Sequence, residues 1–403
     1  MVYAIAVLAV ALVGIRPRRV PVWVWPLAGS GVLLALGFES PAGALRAIAQ
    51  QWNVLLFILG LMGLCGAARE SGALAWATDA VLARAGGSRR TLFVWLFLVE
   101  ALTTLLLSND ATAIVLTPIV YAAVARREGD PMPYLFACAF VANTASFGLP
   151  FSNPANVLIL PHVQSWEYLA HLGVPQIAAL ALNLGTFMLV FRRSLRGRYS
   201  FDAPRPASAA VKATGYALAG VAVLYFVALA LSWPLGPVAL VAALGALAVA
   251  RISPGAAARG ISWSTLALLA GLFVLLDTVA RAGLVSAALA QLHDAARYGS
   301  LAIVAFTCGG AALLSNALNN LPVAIVASYV AARAPSQHLA YAAIVGVDLG
   351  PNLTTTGSLA TLLWLAALAE RGVRVSPLAY LRLGLLVVPP ALAVASLWLW
   401  FAR

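Results

Sequence analysis

The stretch Ala343 to Leu365, AIVGVDLGPNLTTTGSLATLLWL, is apolar at both ends and polar in the middle. A carboxylate (Asp348), an amide (Asn352), the threonines Thr354, Thr355 and Thr356 and the pair Gly357-Ser358 interrupt what would otherwise be one membrane helix. In hydrocarbon every unpaired polar group costs several kcal/mol, so a helix broken at this depth has to line protein or a watery cavity. The stretch is therefore the first candidate binding site.

The chain around it has 403 residues, 63% of them hydrophobic and 9% charged, with a mean hydropathy of +0.94. A soluble domain needs more charge on its surface, so the composition places the chain in a membrane. Its apolar runs are continuous rather than alternating, which excludes a barrel. At about 20 residues per span, about ten crossings fit. The net charge of +12 fits loops held on the cytoplasmic side rather than nucleic acid. Cys65, Cys138 and Cys308 lie in apolar runs without CxxC spacing and read as small buried residues. The histidines His162, His171, His293 and His338 are scattered, and none has a partner at metal-ligand spacing. The N-terminus has no basic residue before its apolar run and no small-residue cleavage site, so it reads as an uncleaved first helix.

Working outward, spans are expected at 2–15, 21–38 and 53–68, followed by an amphipathic stretch to about 90. Two arms, 91–107 and 111–125, are joined by Ser108-Asn109-Asp110; an interrupted span at 132–160 and a clean one at 175–191 follow. The order then restarts after the basic segment Arg192 to Lys212. Spans are expected at 213–232, 237–250 and 262–280, then an amphipathic stretch, two arms at 299–314 and 321–332 joined across Ser315 to Asn320, a second interrupted span at 339–369, and a last helix at 379–401. Trp52 to Leu61 matches Trp263 to Leu272, Ser108-Asn109 matches Ser315-Asn316, and Asn143 to Asn156 matches Asp348 to Thr361. Such internal duplication marks transporters whose repeats meet at a midplane site. The expected division is a first repeat 1–198 (hairpin 91–125, broken helix 132–160), a cytoplasmic linker 199–212, and a second repeat 213–403 (hairpin 299–332, broken helix 339–369).

Laid on that trace, every basic residue except Arg46, Arg281, Arg297, Arg333 and Arg403 falls on one side, including Arg16, Arg18, Arg19, Arg126, Arg127 and Arg205. Basic loops stay cytoplasmic, which puts the linker inside, both termini in the periplasm, and the two halves in opposite orientations. The arm 321–332 spans about 18 Å as helix against a core of roughly 30 Å. Each two-armed unit is therefore expected to be a re-entrant hairpin, with the Ser-Asn tips meeting near the centre.

Glu100, Asp110, Asp277 and Asp348 are the acids inside expected membrane segments, and such acids are functional candidates by default. Asp110 and Asp348 sit at helix breaks and are the expected proton or ion sites. Asp277, four residues before Arg281, reads as an interfacial i, i+4 pair. Glu100, in mid-arm without a basic partner, reads equally as a cross-helix hydrogen-bonding group or a functional acid. Asn109, Asn316, Asn319 and Asn320 suit helix caps whether or not a ligand binds, and Pro322 suits the first turn of a returning arm. The expected interior holds no Lys, Arg or His, which favours a neutral hydroxylated solute or an oxygen-held cation, while helix N-termini leave an anion open.

LLSNDATAIVLTPIV (106–120), VANTASFGLPFSNPANV (141–157), LLSNALNNLPVAI (313–325) and VDLGPNLTTTGSLATLLWL (347–365) resemble the bacterial arsenite and antimonite efflux pumps, the arsenical pump membrane protein family of the ion-transporter superfamily. The resemblance runs in order along essentially the whole chain, and the last motif is its most specific part. It implies a bacterial inner-membrane, elevator-type carrier with scaffold and transport domains, exporting trivalent arsenic and antimony as neutral trihydroxides in exchange for protons. It implies no cofactor, and it brings in a cytoplasmic arsenite-stimulated ATPase as a potential partner. By motif match Asn109, Asp110, Asn316, Asn319, Asn320, Asp348, Asn352, Thr354, Thr355, Gly357 and Ser358 carry over as site candidates, followed by Ser152, Asn153 and Asn156. One departure is Asn143, where some relatives have Asp; a second proton carrier would then fall to Asp110. A sodium/proton antiporter or another small-solute carrier of the superfamily is the alternative. An enzyme is disfavoured, because no nucleophile and base, HExxH or phosphate-binding glycine loop is present.

Overall fold

The computed structural model describes residues 1–15, 20–125, 129–159, 165–201, 206–334 and 336–402. Arg16, Arg18, Arg19, Arg126, Arg127, Arg205 and Arg403 of the charge count, His162, part of the linker and the last residue of the span 132–160 lie outside the described residues.

The described chain is helical. Its first half contains α1 (Val2–Ile15), α2 (Val24–Ala35), α3 (Pro41–Gln50), α4 (Trp52–Glu70), α5 (Ala73–Arg84), α6 (Arg89–Leu106), α7 (Asn109–Ala111), α8 (Thr117–Ala125), α9 (Met132–Thr144), α10 (Pro154–Ile159) and α11 (Ser165–Val190). A π-helical turn, Thr112–Leu116, makes α7 and α8 one stretch. The second half contains α12 (Ala209–Ala230), α13 (Leu235–Val249), α14 (Pro254–Arg259), α15 (Trp263–Val279), α16 (Val285–Ala296), α17 (Ser300–Leu318), α18 (Asn320–Ala331), α19 (His338–Leu349), α20 (Leu359–Ala369) and α21 (Pro377–Phe401). The elements follow the same order in both halves, with α18 standing where α7 and α8 stand.

Six described helical stretches are long and apolar enough to cross a membrane, while α1, α2, α8, α9, α13, α18 and α20 belong to shorter apolar helices. The sequence leads to about ten crossings, and some of the helices that form them are short: α2, with 12 residues, covers about 18 Å. Two short helices went unforeseen, α3 and α14. The start of α3 is marked by Ser40, whose Oγ accepts from the Gly43 amide at 2.9 Å, and by Pro41 in the first turn. Pro175, the expected start of a span, lies inside α11.

Packing is densest within two groups of helices. In one, α4 lies on α13, and α15 lies on α2, the corresponding pair with the halves exchanged. Glycine makes both approaches possible: a Cβ on Gly60 would overlap the Ala239 carbonyl, and one on Gly271 would stand 2.7 Å from the Leu27 amide. These two glycines hold the same place in the matched stretches Trp52 to Leu61 and Trp263 to Leu272. In the other group, α6 packs on α9, α17 on α19, and α11 on α21. Phe140 meets Tyr380 at 4.8 Å and Phe187 at 5.2 Å, so α9, α11 and α21 share one aromatic core. His171 and His338, scattered in sequence, meet at 4.9 Å between ring centroids, and His171 stacks on Tyr341.

Both ends of the first hairpin lie beside the segment that follows α11. The Arg89 amide donates to Gly197 O, and Ser194 Oγ donates to Asp130 Oδ2 at 2.9 Å. Its tip is Ser108, with φ 150°, whose Oγ accepts from the Ala111 amide. The tip of the second hairpin is Asn319, with φ 76°, not Ser315-Asn316 as the sequence match placed it. Helix α17 continues through Ser315 and Asn316, and Asn316 satisfies its amide inside the helix by donating to Ala312 O at 2.7 Å. The structure thus pairs Ser108 with Asn319 and Asn109 with Asn320.

Candidate functional site

The two broken helices end and restart in register. Asn143 and Asp348 are each the last residue but one of α9 and α19, and Asn153 and Ser358 each immediately precede α10 and α20. The irregular backbone between them is buried in protein except at Leu149 and 353–356, which are half-buried.

Asp348 is 1% exposed. Its Oδ2 accepts from Ser146 Oγ at 2.8 Å and its Oδ1 from Asn153 Nδ2 at 2.7 Å, so the carboxylate of one break is solvated by the other. Asn143 Nδ2 donates to Asn352 Oδ1 at 2.9 Å and to Thr361 Oγ1 at 3.2 Å. Asn352 in turn donates to Thr144 Oγ1 at 2.9 Å and to Phe140 O at 3.1 Å. Together these bonds clasp the two breaks into one polar knot.

In front of the knot lies a cleft of about 320 Å³, lined by Ile58, Asn109, Asp110, Asn153, Pro154, Thr265, Leu269, Asn320, Leu321, Leu359 and Ala360. The first residues of α7, α10, α18 and α20 form its walls. The lining comes in corresponding pairs: Ile58 with Leu269, Asn109 with Asn320, and Asp110 with Leu321. That last pair makes the cleft chemically one-sided. Asp110 is half-buried, and no described residue donates a hydrogen bond to its side chain. Asn109 Oδ1 accepts from the Asp110 amide at 2.9 Å, and the Asn320 amide donates to Gly357 O at 2.9 Å.

A second cleft, of about 670 Å³, shares Ile58, Asp110, Pro154 and Thr265 with the first. It runs between α4 and the returning arm of the first hairpin, past Met62, Cys65, Gly66, Ile114 and Val115, to Arg69, Gly260 and Ser262.

Of the residues singled out from sequence, the structure brings Asn109, Asp110, Asn153 and Asn320 to the cleft. Asp348 stands behind Asn153. Ser152 Oγ donates to Leu105 O at 3.0 Å, and Asn156 Nδ2 donates to Ser146 O at 2.7 Å, both within the wall. Asn316 also donates to Gly350 O, and its Oδ1 accepts from Thr354 Oγ1, each at 2.7 Å; Asn319 donates to Thr356 O at 3.2 Å. Gly357 lets the chain pass Pro351 and Asn316, and Ser358 Oγ accepts from the Thr361 amide at 3.0 Å. These residues and Asn352 build the second break and seat the second hairpin on it. Thr355 is half-buried beside them, outside the cleft lining. Thr265 was missed; its signal is a hydroxyl where the matched stretch has Val54. Ser146 and Thr361 were missed as partners of the knot, although both lie in the matched segments or beside them.

Glu100 is buried and its Oε1 accepts from Cys138 Sγ at 3.1 Å, which makes it a cross-helix hydrogen-bonding group between α6 and α9. Asp277 pairs with Arg281 at 3.0 Å, as its spacing suggested.

Residues 3–346 match the CitMHS family, described as citrate transporter. An arsenical pump membrane protein of Yersinia enterocolitica is 32% identical over 363 residues, 85% of each chain. One of Escherichia coli K12 is 30% identical, covering 97% of this chain and 96% of its own. A 46 kDa membrane protein of Mycobacterium leprae is 24% identical and covers 99% of this chain and 98% of its own. Among solved structures, the YdaH transporter of Alcanivorax borkumensis aligns with a TM-score of 0.60 over 94% of this chain and 98% of that one, at 16% identity, a likeness of fold. The chain is a multi-pass helical membrane transporter, not an enzyme, and it belongs to the CitMHS citrate transporter family, alongside the arsenical pump membrane proteins it resembles over most of its length.

Proposed function

We propose that the chain exports trivalent arsenic and antimony, as neutral trihydroxides, from the cytoplasm in exchange for protons. The observation that carries this reading is the lining of the smaller cleft: amides from Asn109, Asn153 and Asn320, the Thr265 hydroxyl, one carboxylate at Asp110 and, among the described residues, no basic side chain. A trihydroxide offers donors and acceptors without net charge, and amides and hydroxyls can replace its water shell. The names of the relatives in Yersinia and Escherichia point to the same cargo. Asp110, half-buried at the junction of the two clefts, is the proton carrier in this reading. Asp348 holds Asn153 in place.

The two halves act as inverted repeats, consistent with the exchange of α4 on α13 for α15 on α2. The linker lies in the cytoplasm with both termini outside. The hairpins are re-entrant, and the group built on α9, α11, α19 and α21 moves against the α4, α13, α2 and α15 frame in alternating access.

A second reading is a carboxylate carrier, favoured by the family's description and by the α18 and α20 N-termini, which can hold anions. A tricarboxylate would meet Asp110 and, among the described residues lining the smaller cleft, no compensating cation, Arg69 standing at the far end of the wider one, so the neutral cargo is preferred. Everted vesicles with an imposed pH gradient discriminate: arsenite uptake without citrate or sodium uptake supports the proposal, and citrate or sodium uptake without arsenite overturns it.

A further inference from the structure

The corresponding seams of the two halves are in different states. In the first half, the seam between α4 and the hairpin's returning arm is the open cleft past Cys65, Gly66 and Ile114. Extending the match of Trp52 with Trp263 along the helices sets Cys65 against Leu276 and Gly66 against Asp277. In the second half, α15 and α18 are in contact, and Leu276 is buried. Tyr329 of α18 donates its hydroxyl to Asp277 Oδ1 at 3.2 Å, across that seam. Asp277 Oδ2 accepts from Arg281 Nε at 3.0 Å. Arg281 also bonds to the buried Glu39, which accepts from Thr278 Oγ1 at 2.8 Å and from the Ser40 amide at 2.9 Å. The Asp277 carboxylate is thereby fixed to the frame before Tyr329 reaches it. At the corresponding place in the open seam, Gly66 has no side chain, and a Cβ there would meet open space.

The geometry points to Asp277 and Tyr329 as positioning residues of the transport cycle: their hydrogen bond latches the second-half seam while the first-half cleft is open, and breaks when the carrier turns over. This rests on the alternating-access reading and is independent of the cargo. An alternating carrier built from duplicated halves needs one seam shut when the other is open, and a bond present in one facing state only shifts the balance between the two.

Native Cys65 and an introduced Leu276→Cys, the latter in a Cys65→Ala background, report on the two seams. Purified full-length protein in lipid nanodiscs exposes both faces to a water-soluble maleimide, so no transport or membrane orientation is needed. Cys65 should label faster than Leu276→Cys. Tyr329→Phe keeps the ring and removes the hydroxyl; it should speed labelling at Leu276→Cys about fivefold, the population shift that one net hydrogen bond of roughly 1 kcal/mol supplies, without speeding Cys65. Asp277→Ala should act in the same direction, and adding Tyr329→Phe to it should have little further effect. Unchanged labelling at Leu276→Cys, or equal acceleration of both thiols, would overturn the latch. Arsenite transport failing while the thiols respond as expected would count against the cargo and leave the latch standing.

Discussion

Asn153 Nδ2 lies 2.7 Å from Asp348 Oδ1, joining the amide before α10 to the carboxylate near the end of α19. Asn153 and Pro154 form cleft wall while Asp348 does not, so the carboxylate acts on the cleft through the amide.

Asp348→Ala should therefore weaken the protein as well as the cleft. Ser146 Oγ can still donate to Asn143 O at 2.8 Å, but Asn153 Nδ2 loses the acceptor it holds at 2.7 Å, leaving a buried donor unsatisfied at a cost of about 1–3 kcal/mol. A lower Tm for Asp348→Ala than for Asp110→Ala in purified protein would show it; equal Tm values would refute the supporting role.

Asp110→Asn should keep the fold and lose the coupling. Arsenite counterflow should persist in proteoliposomes while uptake ceases to respond to an imposed pH gradient. A variant with full gradient-driven uptake would exclude Asp110 as the proton carrier.

The cysteines occupy three separate places: Cys65 beside the wider cleft, Cys138 under Glu100, and Cys308 in α17. A three-thiol cage would hold trivalent arsenic too long for turnover, and these positions do not form one. Cys65→Ala and Cys308→Ala should leave transport near parental rates. Cys138→Ala removes the donor to Glu100 and should lower Tm while sparing transport per folded molecule. Loss of transport in the triple variant at normal expression would contradict this.

Glu39, in the connection between α2 and α3, supplies a pH dependence of stability. Burial opposes its charge, but bonds from Thr278, the Ser40 amide and Arg281 outweigh it and hold the carboxyl below its ordinary 4.5. A carboxylate depressed by folding adds stability that is complete above its unfolded pKa and is lost as pH falls through the folded one. Tm should therefore drop on acidification below 4.5, and Glu39→Gln should flatten that limb. An unchanged acid limb in Glu39→Gln would reject the assignment.

Much of this architecture is legible in the sequence because polar interruptions in apolar runs have few physical explanations. Asn143 to Asn156 and Asp348 to Thr361 mark the two breaks directly. The second hairpin tip is less legible: Ser315-Asn316 looks like Ser108-Asn109, but a helix can absorb an asparagine that bonds back to the previous turn, and the turn falls instead at Asn319. The placement of Asp348 behind the wall is hidden for another reason. Helix α19 is buried on nearly every side, so no periodicity distinguishes a cleft-facing residue from one facing protein. Short helices such as α3 escape hydropathy because their faces are mixed; the Ser40-Pro41 cap is the only local mark.

Leu321 standing where Asp110 stands in the other half sets an energetic ceiling. Asp110 is the one carboxylate among the described residues lining the smaller cleft, so the proposed exchange, with Asp110 as its proton carrier, moves one proton per turnover. Each pH unit across the membrane is then worth about 1.4 kcal/mol per cargo molecule, a single factor of ten in concentration. In the proposed exchange of a neutral cargo for one proton, net charge crosses the membrane, so the membrane potential adds about 2.3 kcal/mol per 100 mV and the accumulation ratio follows the whole proton-motive force to the first power.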